Sequence, residues 1–169
     1  MILGLPVQTF TLLHVAISLI GILSGLVVLA AMLSGRNLRA TTALFLATTI
    51  LTSATGFLFH SAKIGPPHIV GAISLVVLAV SLVALYGKHL VGVWRRVYVI
   101  TAVVALYLNA FVGVVQAFGK IPALNALAPK GSEPPFAVAQ LLVLILFVVL
   151  GYLAVKRFHP AAPAAPTSP

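Results

Sequence analysis

TFTLLHVAISLIGILSGLVVLAAML, residues 9–33, decides what kind of protein this is. It contains no Asp, Glu, Lys or Arg, and its one imidazole, His14, stands in an otherwise apolar or hydroxylated run. A helix needs about 20 mostly apolar residues to cross a bilayer, and this stretch supplies them. It is too long for a secretory leader, whose apolar region is about 7–15 residues, and no basic region precedes it. The stretch reads as a membrane span.

Working outward, four more segments have the same character. They run from Thr41 or Thr42 to Phe59, from His68 to about Gly87, from about Val97 to Phe118, and from about Phe136 to Val155. The chain is 62% hydrophobic and only 7% charged, with a mean hydropathy of +1.21, which suits lipid and not water. The expected fold is all-α: a polytopic membrane bundle of five transmembrane helices over residues 1–158. The Pro/Ala-rich residues 159–169 are expected to form a disordered cytoplasmic tail. Between the fourth and fifth segments, Pro122 is placed to open a short interfacial helix reaching Ala128.

Composition removes whole classes of chemistry. Cysteine is absent, so thiolate nucleophiles, disulfides and thiolate metal sites are excluded. The one acid is Glu133, which excludes carboxylate pairs and carboxylate cages for calcium or magnesium within one chain. A serine hydrolase lacks its orienting acid. The formal charge of +9 is spread over segment ends, with no basic run longer than a pair, so nucleic acid is not an expected partner. The expected partners are the lipid bilayer and either another membrane protein or a second copy of the chain.

The basic residues set an orientation. With the N-terminus outside, Arg36, Arg39, Lys88, Arg95, Arg96, Lys156 and Arg157 lie inside, against Lys63, Lys120 and Lys130 outside. The positive-inside rule then predicts this arrangement in a bacterial inner membrane. His14, His60 and His68 all fall in the outer layer, joined by Gln116 and Gln140. On the first segment His14, Ser18, Gly21 and Gly25 share a face, as do Thr49, Ser53, Gly56 and His60 on the second. Asn109, Gly113, Gln116 and Lys120 share one on the fourth.

Two chemistries suit the histidine layer. Three imidazoles with an open position would make a zinc or copper site, and two from facing helices would hold a haem iron, with Lys63 or Lys120 neutralising a propionate. Alternatively the histidines are interfacial, and Asn109, Gln116 and Gln140 form a polar pocket for a small solute or quinone head, or simply join helices. The expected function is an integral membrane protein without a catalytic site: an accessory subunit, or a small-solute or lipid-interacting protein. A haem- or metal-binding electron-transfer protein is the alternative.

The stretches HLVGVWRRVYVI (89–100) and LYLNAFVGVVQAFGKIPALNALAP (106–129), with the Pro-rich turn that follows, resemble small multi-pass inner-membrane proteins of bacteria with no assigned function. The resemblance runs from His68 to His159 and implies the membrane location. The order of a histidine opening one helix, then a histidine and a basic R-V-Y before the next, is also similar to families related to bis-histidine haem membrane cytochromes. Those families place paired histidines on four core helices; the fourth and fifth segments here carry none internally.

Overall fold

Helix α1, Val7–Leu33, follows Pro6 and ends where its sequence stops it. Gly35 takes a left-handed φ of 70°, its N–H reaches the Met32 carbonyl, and Arg36 N–H reaches that of Ala31 at 2.8 Å. This crossed pair of bonds satisfies carbonyls the helix would otherwise leave open, and only glycine takes the left-handed position without steric cost. The computed structural model describes residues 1–59 and 65–160. After α1 come α2 (Arg39–Gly56), α3 (Pro66–Leu82), α4 (Val93–Lys120), α5 (Pro122–Leu127) and α6 (Pro134–Arg157). Prolines open α3, α5 and α6, where a missing N–H costs nothing. The short α5 starts at the expected Pro122. His60 and Lys63, and the tail from residue 161, lie outside the described residues.

Among the described residues, the expectation of five spans is corrected to four. Helices α1, α4, α6 and the stretch Pro66–Gly87 are long and apolar enough to cross a membrane, and α2 is not. Its 18 residues include Arg39 at the start and Thr41, Thr42, Thr48, Thr49, Thr52, Ser53 and Thr55. Those hydroxyls dilute its apolar character, and several are spent on its own backbone: Thr48 donates to Leu44, Thr49 to Phe45 and Thr55 to Leu51. Phe45 and Leu46 remain to anchor it in the core, each 1% exposed.

Residue contacts give the helix directions. His14 meets Thr55 while Gly25 meets Phe45, so α2 runs antiparallel to α1. Ser53 bonds Ser74 and Phe57 packs on Gly71, so α3 reverses again. Gly21 faces Asn109 and Gly25 faces Leu106, which sets α4 antiparallel to α1. Tyr107 stacks near Phe147 and Tyr98 near Phe158, so α6 reverses once more. Helix α4 is the hub: Tyr98, Val99, Ala102, Ala105 and Leu106 are among the most buried residues of the chain. The core they form with Val28, Met32, Phe45, Leu78 and Phe158 fills one half of the bundle.

That half also carries most of the positive charge: Arg36, Arg39, Lys88, Arg95, Arg96, Lys156 and Arg157 sit at one end, and Lys120 and Lys130 at the other. Arg95 does more than mark a side. Its Nη1 donates to the Val155 and Phe158 carbonyls at the end of α6, where helix carbonyls need donors and a cation meets the negative dipole end. Between α3 and α4 the chain widens into a π-turn, Val83–Gly87, and then passes His89 and Leu90 in left-handed conformations, φ 49° and 60°. Non-glycine residues adopt these at a cost, which the surrounding packing of Ala84 and Leu90 offsets.

Candidate functional site

The other half of the bundle does not close. Helices α1, α2, α3 and α4 leave a cavity of about 550 Å³ between them, in the range of small-molecule sites. His14 and Ser18 come to it from α1, Thr52 and Ser53 from α2, His68 and Ser74 from α3, and Asn109, Gln116 and Lys120 from α4. Gly113 lines it too, so all four residues that helical spacing puts on one face of α4 do so. Val15, Leu19, Ile22, Leu108 and Val112 supply apolar wall. One turn beyond Gly21 the route ends: a methyl group on Gly25 would stand 2.5 Å from Leu106 and 2.8 Å from the Phe45 ring. The cavity is blind.

His14 is held in one tautomer. Its Nδ1 lies 2.8 Å from Thr55 Oγ1, and the single Thr55 proton is directed at the Leu51 carbonyl, 2.6 Å away. Thr55 therefore accepts, His14 Nδ1 carries the hydrogen, and Nε2 keeps its lone pair. Phe59 packs edge-on against the same ring at 5.1 Å. In Thr55→Val the imidazole loses its anchor, and the Nε2–H tautomer should become populated. The ¹⁵N shifts of a histidine-labelled sample would read this; unchanged shifts would show that Thr55 does not set the tautomer.

His68 has the opposite polarity. It stands in the first turn of α3, and its Nδ1 accepts the Gly65 N–H at 3.3 Å, leaving the neutral ring with its hydrogen on Nε2. Ligation of iron through Nε2 would move that hydrogen to Nδ1 and set it against the Gly65 N–H. As placed, the neutral His68 ring offers a hydrogen, and not a lone pair, at Nε2. Among the described residues no group of three His, Cys, Asp or Glu could hold a metal ion.

The remaining predicted site residues divide. Asn109 lines the deep part of the cavity, 8% exposed, and its Nδ2, beside Gly21, Thr48 and Thr49, has no partner among the described residues. Gln116 lines the mouth. Gln140 does not join them: its Nε2 donates to the Phe111 carbonyl at 3.2 Å, which ties α6 to α4 away from the cavity wall. Sequence reasoning did not pair His14 with Thr55 or Ser53 with Ser74, because these contacts depend on helix register, which spacing within one helix does not reveal. Glu133 is also absent from the cavity. It lies in the exposed loop before α6, where the Lys130 N–H and then the Ser132 N–H bond its carboxylate and hold its pKa below the usual carboxylate range.

The fold and cavity define a multi-pass membrane protein built of helices around a blind, partly polar pocket. The chain matches no protein-family model, no curated protein and no solved structure. The resemblance to bacterial inner-membrane families thus gains no support beyond the membrane-spanning helices themselves.

Proposed function

We propose that this protein binds one small amphiphile in the cavity between α1, α2, α3 and α4 and does not transform it. The carrying observation is a pocket with polar groups at its mouth and depth, apolar walls between them, and a closed floor. A binding role is favoured over catalysis because the neighbouring groups are already committed. Ser18 donates to the His14 carbonyl, and a threonine, not a carboxylate, holds the imidazole. An accessory-subunit role has less support, since Gly21 and Gly25 of the small-residue stripe on α1 are buried within the bundle. The proposed location is a bacterial inner membrane, with the end that carries seven basic residues in the cytoplasm.

Native mass spectrometry of protein extracted in a mild neutral detergent tests the reading. One lipid-derived adduct per chain is expected. Gly113→Trp, which puts an indole into the cavity where Ile22 is the nearest neighbour, should remove the adduct. Retention of the adduct by a folded Gly113→Trp protein would place the bound molecule elsewhere. An absorbance spectrum of the wild-type sample, oxidised and reduced, reads the haem alternative; a Soret band that shifts on reduction would replace the amphiphile with haem.

A further inference from the structure

Resting on that reading of the cavity, we infer that its ligand is an anionic, single-chain amphiphile whose head sits at the mouth on Lys120 and His68. The sign of the charge comes from what lines the space. Among the described residues, Lys120, the last of α4, is the one Lys or Arg that lines the cavity, and no Asp or Glu reaches it. The chain's single carboxylate side chain is engaged by loop N–H groups of Lys130 and Ser132. A cationic head would meet an ammonium group with nothing to offset it, whereas a carboxylate or phosphate monoester would gain a charge-assisted bond.

Hydrogen bonding points the same way. The hydroxyls of Thr11 and Ser18 near the mouth donate to carbonyls of their own helix, at 2.8 and 2.7 Å. They therefore have no proton for a ligand. Among the described residues, the donors left at the mouth are the Lys120 ammonium, the Gln116 amide and the His68 Nε2–H, the last fixed by the Gly65 N–H on the opposite nitrogen. They outnumber the Gln116 carbonyl and call for a head that accepts. Lys120 and His68 stand at helix ends, where a charged head keeps contact with water and avoids the cost of burying an ion.

The tail follows from the walls and the floor. Below the mouth, Leu19, Ile22, Leu108 and Val112 offer apolar surface, and the space ends at the level of Gly25 and Phe45. From Lys120 to Asn109 the helical rise is about 16 Å, the depth available to a single chain lying along the bundle axis. A second chain would have to leave between helices. Carboxylate and phosphate heads share this chemistry, and a free anion would use only the mouth.

Displacement of dansyl-labelled undecanoate from the full chain in nanodiscs of zwitterionic lipid separates these cases. Dodecanoate or dodecyl phosphate should displace the probe, whereas dodecanol and dodecyltrimethylammonium should need roughly ten-fold more, a difference of about 1.4 kcal/mol. Lys120→Gln should weaken dodecanoate binding by a similar factor, and Lys120→Arg should retain it. The exposed helix-end position makes both variants safe for folding. Dodecanol competing as well as dodecanoate, or an unaltered affinity in Lys120→Gln, would overturn the anionic assignment while leaving an amphiphile site intact. Inorganic phosphate competing as well as dodecyl phosphate would make this a free-anion site and remove the tail. If the probe does not bind, and no amphiphile of any charge binds, the binding reading fails with it.

Discussion

Replacing Gly25 with valine should destabilise the bundle by about 3 kcal/mol or prevent its accumulation altogether, the largest effect expected of any single substitution here. Even the first added carbon would stand 2.5 Å from Leu106 Cδ1 and 2.8 Å from two atoms of the Phe45 ring. Neither neighbour has room to retreat, since both side chains are 1% exposed in the packed half of the bundle. Three helices meet at this one hydrogen atom: α1 carries the glycine, α2 the phenylalanine and α4 the leucine. Thermal unfolding in detergent, followed by loss of soluble monomer, would measure the effect. Gly119, where an added carbon meets nothing, is the matched control and should tolerate alanine within about 1 kcal/mol, the helix preference for alanine partly offsetting any loss. Equal behaviour of Gly25→Val and the control would refute the three-helix contact.

The second large effect is expected at Arg95. Arg95→Ala removes both bonds that Nη1 donates to the Val155 and Phe158 carbonyls and should cost about 2 kcal/mol, the scale of hydrogen bonds to a charged group. The loss should be local. Phe158, 1% exposed against Tyr98, would no longer be held down by its own backbone, so the end of α6 should become cleavable by protease before the rest of the chain unfolds. Arg95→Lys should recover only part of the stability, because the shorter and more strongly hydrated ammonium reaches the two carbonyls less well than Nη1 does. Limited proteolysis with mass mapping reads this directly; an unchanged cleavage pattern in Arg95→Ala would mean that the packing of Phe158 alone secures the helix end.

Much of this architecture was legible in the chain. Four of the five apolar runs became helices long enough to span, and Pro122 opened its short helix as its fixed φ requires. The threonine-rich run shows what a hydropathy pattern misses: α2 is a bundle helix, but seven hydroxyls and Arg39 keep it below the apolarity of a span. Site legibility was uneven for a related reason. Spacing on a single helix put Asn109, Gly113, Gln116 and Lys120 together, and each lines the cavity. Partnership between helices was not readable. His14 pairs with Thr55, and Gln140, read as a member of the same layer, is turned toward the Phe111 carbonyl instead. Which way Gln140 faces depends on the rotation of α6 against α4, and α6 is so uniformly apolar that its sequence marks no preferred face.

The segregation of basic side chains at one end has a consequence for charge neutrality. One carboxylate side chain cannot balance ten Lys and Arg, and it sits in the loop before α6, at the opposite end from seven of them. Arg95 spends its guanidinium on backbone carbonyls, which carry no net charge. The counter-ions of this protein therefore have to come from its surroundings, and in a bilayer the nearest fixed supply is the phosphate layer, each Lys or Arg near the surface contributing about 1 kcal/mol of attraction. The polypeptide by itself is half of a salt, and the membrane completes it.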